Sequence, residues 1–376
     1  MRDERIERWA NVLVNYSLQA KPKQHAVIMA EMEALPLVEA SYEKLLQAGA
    51  IAEVFFTSRS LTEVLFSNAS EEQLKTCPPV SLYLAQTCDL YLSISAESNS
   101  KLLSGIDPKK QAIFSSSRMP IMQAILDRAA KSEVKWVYTH FPTGSAAQDA
   151  EMGTREYEEF VFSLGNLNRD NPIEHWKSVE EEQQKLIDFL EKKESLRFQN
   201  KDGTDLSVNI AGMKWVNCCG KINFPDGEIY TGPNLSSKDG GVNGIARFSL
   251  PTLYRNVEVH DIELKFQHGK VIEANASKGQ DFLREMVAQD EGAKFVGEIA
   301  IGTNYEMNKI TKNILFDEKF GGTFHLALGK GYPQTGNCNQ SGLHWDIIFD
   351  LRNGGSIEAD GELFYENGKF LDAIVY

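Results

Sequence analysis

Several common signals are missing from this sequence of 376 residues. It has five cysteines and no Cys-X-X-Cys pair, which argues against a disulfide scaffold and against zinc held by thiolates. No run of about 18 uncharged apolar residues occurs, and charged residues follow Met1, so neither a membrane span nor a signal peptide is predicted. These absences favour a cytoplasmic globular protein without a membrane partner.

Basic residues are outnumbered, since 39 Lys and Arg stand against 53 Asp and Glu and the formal net charge is -14. A chain with this charge is repelled by a phosphate backbone, so we expect no nucleic-acid partner. Hydrophobic residues make up 42% of the chain and charged residues 24%, which is typical of a globular protein. The length suits two domains better than one.

The first half of the chain alternates strand and helix patterns. Short apolar runs that predict buried strands occur at 26–30, 51–56, 90–94 and 134–138. Apolar residues at helical spacing occur at 5–18, 37–48 and 109–130. Strands separated by helices indicate crossover connections and a parallel sheet. We therefore predict an α/β domain with a parallel sheet over residues 1–190.

The second half has a different pattern. Alternating apolar and polar residues, typical of antiparallel hairpins, occur at 206–210, 262–266 and 271–274. A helical pattern spans 279–289, and a charged helical segment at 176–196 precedes this half. We place the domain boundary in that charged segment. Residues 191–376 are predicted to form an α+β, strand-rich domain that carries a metal site.

Polar side chains interrupt several apolar strand patterns in this second half. His344 and Asp346 stand two residues apart in a strand-like run, so both side chains project to one face. His325, Glu298 and Glu228 also lie in short apolar or extended runs. An isolated buried carboxylate is costly unless it is paired or bound to a cation.

Ordinary salt bridges would compensate the two glutamates, and a single buried histidine is more often a core residue than a ligand. We nevertheless hypothesise that these five side chains converge. Three carboxylates and two imidazoles suit a pair of divalent ions such as Zn, Co or Mn.

The sequence strings around these residues resemble a known family. The strings are Pro225–Thr231, Asp290–Ala293 leading to Gly297–Ala300, Leu315–Glu318, Phe324–Gly329, Gly331–Pro333 and His344–Asp346. Together they resemble the thermophilic metallo-aminopeptidases of the aminopeptidase T and aminopeptidase S type. Looser similarity at Glu33–Val38 and Gly203–Leu206 extends the resemblance over nearly the whole chain.

The resemblance implies a cytoplasmic, homodimeric exopeptidase that removes N-terminal residues from peptides with a free N-terminus. It assigns the metal-ligand roles to Glu228, Glu298, His325, His344 and Asp346. Glu298 would touch both ions, and Glu298 and Tyr332 would be the catalytic residues. One ion would activate a water molecule, and the other would polarise the scissile carbonyl or hold the free amine of the substrate. Tyr332 would donate a hydrogen bond to the oxyanion. The segment between Tyr332 and His344 is short for the family, which leaves the preferred N-terminal residue open.

Two alternatives remain open. Ring-opening dihydroxypyridine dioxygenases have a similar scaffold and hold one ferrous ion with two histidines and one carboxylate, which here would be His325, His344 and Asp346. That triad leaves Glu228 and Glu298 unexplained. The other alternative is a non-catalytic peptide-binding relative, against which the complete set of expected ligands argues.

Overall fold

The computed structural model describes residues 3–255 and 257–371, which form two compact units. The first unit comprises the chain up to Trp176 together with Gly220–Pro225. The second unit comprises Lys177–Cys219 and the chain from Asp226 onward.

The domain boundary predicted between residues 190 and 191 falls at the end of the helix Pro172–Leu190, inside the second unit. As a division into domains it stays a prediction. None of the described helices is long and apolar enough to cross a lipid bilayer.

The first unit is built on a five-stranded parallel sheet. Its strands are β1 (His25–Glu31), β2 (Ile51–Thr57), β3 (Leu90–Ser95), β4 (Lys135–His140) and the short β8 (Asn223–Phe224). Their order is β2-β1-β3-β4-β8, and each neighbouring pair is parallel. The predicted parallel sheet is confirmed, because the four apolar runs of the first half form its first four strands.

The helices of the first half precede, separate or follow the first four of these strands along the chain. They are α1 (Glu4–Asn11), α2 (Leu35–Gln47), α3 (Arg59–Asn68), α4 (Glu71–Lys75), α5 (Pro79–Thr87), α6 (Pro108–Ala130), α7 (Gly144–Asp149), α8 (Thr154–Leu164) and α9 (Pro172–Leu190). The helical pattern at 5–18 begins as α1 and continues as a π-helix over Val12–Ser17. The Asp3 side chain caps α1 by accepting a hydrogen bond from the Arg5 N–H.

The second unit contains two larger antiparallel sheets. One has five strands, β7 (Val216–Cys218), β9 (Glu228–Thr231), β15 (Val296–Gly302), β16 (Thr323–Gly329) and β17 (His344–Asp350), in the order β17-β16-β15-β9-β7. The other has eight strands, β5 (Ser195–Gln199), β6 (Asp205–Asn209), β10 (Val242–Phe248), β13 (Ile262–Gln267), β14 (Lys270–Asn275), β18 (Ser356–Ala359), β19 (Glu362–Glu366) and β20 (Lys369–Phe370).

A small hairpin of β11 (Thr252–Tyr254) and β12 (Val257–Val259) and the helices α10 (Gln280–Val287) and α11 (Ile314–Asp317) complete the second unit. The predicted strand-rich α+β architecture is confirmed.

The core of the second unit lies on one face of the five-stranded sheet. Ile299, Leu326 and Ile347 are buried there in a cluster that also contains Phe198 of the eight-stranded sheet. The rings of Phe198 and Phe324 have centroids 3.8 Å apart. Because side chains alternate along a strand, the residues between these apolar positions point to the opposite face of the same sheet.

Candidate metal centre

The opposite face of the five-stranded sheet carries the polar residues singled out in the sequence. Strand register places Glu298 of β15, Ala327 of β16 and Asp346 of β17 in one row across three strands. Since residues two apart share a face, His325 lies on the same side as Ala327, and His344 on the same side as Asp346. Ala327 contributes only a methyl group between the longer side chains of Glu298 and Asp346.

The neighbouring strand β9 adds Glu228, which pairs with Gly302. Tyr230, two residues further along, pairs with Ala300 and therefore shares the face of Glu228. The structure thus brings all five expected ligands to one face of one sheet, although they come from four strands that are far apart in the sequence.

The distances show how closely these groups approach. The His325 Nε2 lies 3.7 Å from Glu228 Oε2 and 3.8 Å from Glu298 Oε1. The His344 Nε2 lies 3.4 Å from Glu298 Oε2 and 3.5 Å from Asp346 Oδ1. Glu298 therefore presents one carboxylate oxygen to each imidazole. The side chains of His325 and Glu298 are only 1% and 6% exposed, so water screens little of this charge.

A hydrogen bond from the ring nitrogen that points away from the carboxylates fixes the orientation of His344. Its Nδ1 lies 3.0 Å from the carbonyl oxygen of Lys330. A carbonyl can only accept, so Nδ1 carries the proton and Nε2 is left for the centre. The Lys330 carbonyl comes this close to β15 because residue 297 is glycine, where any Cβ would collide with that oxygen.

Several buried polar atoms of the centre have no hydrogen-bond partner among the described residues. They include Glu228 Oε2, Asp346 Oδ1 and His325 Nδ1. Leaving such an atom unsatisfied costs about 1–3 kcal/mol. A divalent cation between the carboxylates would satisfy the two oxygens, and imidazole and carboxylate are the donors that Zn, Co and Mn accept. The residues present therefore fit metal ions.

Two overlapping groups have ligand atoms close enough to hold an ion. In the first, atoms of Glu298, His344 and Asp346 all lie within 4.8 Å of one another. In the second, the same holds for Glu318, His325 and Asp346. Each imidazole thus belongs to its own group, and Asp346 is common to both.

The carboxyl groups of the centre differ in their pKa values. Burial raises the pKa of Glu228 and raises that of Asp346 to about 6. Burial acts in the same direction on Glu298, but the approach of His325 and His344 outweighs it and lowers the pKa of Glu298 to about 2. Of these three carboxyl groups, Glu298 is the one whose pKa is lowered rather than raised.

The pKa values of the two imidazoles are raised by the neighbouring carboxylates, although burial acts to lower them. Burial acts to lower the pKa of His325, but the approach of Glu298 and the charge of Glu228 outweigh it and raise the pKa to about 9. Burial also acts to lower the pKa of His344, which the charge of Asp346 and the approach of Glu298 raise to about 10. Without an ion, both rings are positively charged imidazolium groups at pH 7. A metal ion must therefore displace a proton from each ring that it binds.

Tyr332 stands at the edge of the centre. Its hydroxyl lies 3.5 Å from His344 Nε2, and its ring packs against that of Tyr230 with centroids 5.4 Å apart. Gln334 holds Tyr230 by donating a 2.7 Å hydrogen bond to its hydroxyl. Burial, and the charges of Glu298 and Asp346, raise the pKa of Tyr332, so its phenol stays protonated and able to donate.

Sequence reasoning missed part of this centre. The residues not predicted are Cys218, Asp226, Glu318 and Lys319. Asp226 belongs to a Pro-Asp-Gly string that usually marks an exposed turn, yet it is only 1% exposed. Glu318 and Lys319 lie in the charged string Asp317-Glu318-Lys319, which is typical of a surface. The sequence pattern therefore gave no signal for their burial.

A buried group of imidazoles and carboxylates on one sheet face is the set of donors expected of a metal-dependent enzyme. The sequence model of the thermophilic metalloprotease (M29) family matches residues 2–370. The chain belongs to this family, which implies a divalent metal cofactor.

Relatives with assigned names support the same class. The chain is 27% identical to Aminopeptidase 2 of Geobacillus stearothermophilus over 88% of this chain and 84% of the relative. It is 25% identical to Aminopeptidase AmpS of Bacillus subtilis (strain 168) over 98% of both chains. The predicted resemblance and the predicted class of enzyme, a metal-dependent hydrolase of the aminopeptidase type that acts on peptide bonds, are confirmed.

Solved structures show the fold. The structure of wild-type AmpT from Thermus thermophilus matches with a TM-score of 0.85 at 23% identity, over 98% of this chain and 99% of that one. The structure of 2,5-dihydroxypyridine dioxygenase from Pseudomonas putida KT2440 matches with a TM-score of 0.57 at 11% identity, over 98% and 97%. The scaffold is therefore similar to proteins of two chemistries, and the side chains of the centre must distinguish them.

Proposed function

We propose that the protein is an aminopeptidase that removes N-terminal residues from peptides with water activated at a two-ion centre. The observation that carries the proposal is the position of Glu298, with one oxygen toward His325 and the other toward His344. A mononuclear triad of His325, His344 and Asp346 needs neither Glu298 nor Glu228. The named relatives support the choice of an aminopeptidase.

The ions would be held by five side chains, Glu228, Glu298, His325, His344 and Asp346. When bound, a pair of Zn, Co or Mn ions lowers the pKa of a water molecule and polarises the scissile carbonyl. Glu298 would be a ligand of the ions and a catalytic residue, by accepting a proton from the attacking water. The Tyr332 hydroxyl donates a hydrogen bond to the oxyanion that develops on the substrate.

The proposal extends to the cellular location and the oligomeric state of the enzyme. The five cysteines, none in a Cys-X-X-Cys pair, support a cytoplasmic location, and the resemblance to the family supports a homodimer. Light scattering of the purified full-length chain distinguishes a homodimer from a monomer.

A panel of aminoacyl p-nitroanilides and matched free and N-acetylated peptides tests the activity. We expect the metal-loaded protein to hydrolyse the free-amine substrates and to leave the acetylated peptides intact. Equal cleavage of free and acetylated peptides would contradict an exopeptidase. Oxygen uptake with 2,5-dihydroxypyridine and ferrous iron, without peptide hydrolysis, would favour the dioxygenase. Binding of peptides without either reaction would favour a non-catalytic relative.

Replacing Tyr332 with phenylalanine tests its role as a hydrogen-bond donor. We expect kcat to fall about 100-fold with little change in KM, because the donor acts on charge that forms only in the transition state. Steady-state kinetics of Tyr332→Phe measure both constants. Tyr254→Phe is the matched control, since this phenol stacks on Trp345 outside the centre and its loss should leave kcat unchanged. Wild-type kcat in Tyr332→Phe would rule out this role.

A further inference from the structure

Lys319 brings an ammonium group into the buried centre. Its side chain is 3% exposed, and Nζ forms an ion pair with Glu228 Oε1. The same Nζ lies 2.7 Å from Glu318 Oε1 and 3.6 Å from Asp226 Oδ1. A lysine is rarely buried so completely unless opposite charges surround it, as they do here.

The backbone fixes the lysine in this position. Its N–H donates to the carbonyl of Phe316, and its own carbonyl accepts from the N–H of Asn304, both at 2.9 Å. Just before it, the Asp317 carboxylate accepts hydrogen bonds from the N–H groups of Thr311 and Lys312. The ammonium is therefore held by the fold and does not depend on a flexible surface segment.

The ammonium lies beside a third group of potential metal ligands. The Cys218 sulfur and carboxylate oxygens of Asp226 and Glu228 lie within 4.8 Å of one another. Thiolate and carboxylate donors at such distances suit zinc or cobalt. Two of these three residues already contact Lys319, so the ammonium group engages carboxylates that a metal ion at this position would need.

The contact with Lys319 also gives the two carboxylate oxygens of Glu228 different surroundings. Oε1 is taken by the ammonium, whereas Oε2 has no hydrogen-bond partner among the described residues and lies 3.7 Å from His325 Nε2. Lys319 therefore leaves Glu228 one oxygen for a metal ion.

The charges in the centre agree with one fixed cation and two exchangeable ions. Five carboxylates belong to the three ligand groups, namely Asp226, Glu228, Glu298, Glu318 and Asp346. Two divalent ions supply four positive charges, and Lys319 supplies the fifth. A third ion beside Lys319 would add two positive charges, of which a Cys218 thiolate would offset one, and uncompensated buried charge is costly. The balance therefore favours two ions while Lys319 is present.

We propose that Lys319 occupies a third cation position, formed by Cys218, Asp226 and Glu228, and thereby limits the centre to two exchangeable metal ions. Lys319 is thus a positioning residue that holds Glu228 as a ligand through one oxygen. The proposal rests on the two-ion centre of the proposed function.

Counting cobalt in Lys319→Met tests this role. Full-length wild type, Lys319→Met and Lys319→Arg are stripped with a chelator, reloaded with excess Co²⁺, freed of unbound metal and analysed for metal and ultraviolet absorption. We expect two ions in wild type and Lys319→Arg, and one more in Lys319→Met. The additional ion should give a thiolate-to-cobalt charge-transfer band that is lost in the double variant Lys319→Met/Cys218→Ser.

An unchanged ion count in Lys319→Met, without the thiolate band, would overturn the proposal. If Lys319→Met does not yield folded protein, Lys319→Gln is counted in the same way and decides the question. A wild type that binds only one ion would contradict the two-ion reaction. The role of Lys319 would then still be decided by whether its neutral variants gain an ion on Cys218.

Discussion

Replacing Glu298 with glutamine is expected to lower kcat/KM for a cleavable aminoacyl p-nitroanilide by about 1,000-fold or more. The substitution preserves the size of the side chain but removes the charge that faces both His325 and His344. It therefore weakens the ligand that contacts both halves of the centre and removes the proposed proton acceptor. Initial rates at saturating metal, compared with wild type, measure the effect.

Glu263→Gln is the matched control for Glu298→Gln. Glu263 lies on β13 and pairs with Arg247 at 2.6 Å in a partly exposed position, where an ion pair contributes little. Its variant should keep the rate of wild type. Activity of Glu298→Gln within tenfold of wild type would place the reaction elsewhere in the protein.

Removal of the metal is expected to have an effect of similar size. Dialysis against a chelator should lower peptide hydrolysis by about 1,000-fold, and Co, Zn or Mn should restore it when about two ions per chain have bound. The reason is that a bound divalent ion lowers the pKa of its water molecule toward neutrality, and chelation removes that effect. A titration of activity against bound metal measures the count. Full activity in protein shown to be free of metal would contradict the mechanism.

The affinity of the ion-free protein for metal should also depend on pH, and it should increase as the pH rises. In the ion-free protein the pKa of His325 is about 9 and that of His344 is about 10. Below these values protons compete with the metal for both rings, so the apparent affinity should rise between pH 6 and pH 8. Metal titrations at both pH values test this, and tighter binding at pH 6 would contradict the assignment of the two histidines as ligands.

The sequence was sufficient to predict those parts of the fold that follow from the spacing of apolar residues along a short segment. Alternation of apolar runs with helical spacing predicted the parallel sheet, and the pair His344 and Asp346 predicted two side chains on one strand face. The short strand Asn223–Phe224, which joins the sheet of the first unit from a distant part of the chain, gave no such signal. A strand of two residues is too short to show any period.

The centre was harder to predict than the sheet. The meeting of Glu228, Glu298 and His325 depends on the register of β9, β15 and β16 and on the bulge beside Gly297, which are tertiary features. The local pattern marked these residues as unusual and led to the hypothesis that they converge, and the family resemblance assigned them their roles as metal ligands. Lys319 was missed because a charged string normally indicates solvent exposure, and only the surrounding carboxylates make its burial favourable.

The central claim is that two metal ions bind among Glu228, Glu298, His325, His344 and Asp346. Anomalous diffraction from crystals of the cobalt- or zinc-loaded protein, recorded on both sides of the metal absorption edge, tests it most directly. We expect two separate peaks on this face of the five-stranded sheet, with the Glu298 carboxylate bound to both. A single peak held by His325, His344 and Asp346, with Glu228 and Glu298 unbound, would contradict the account.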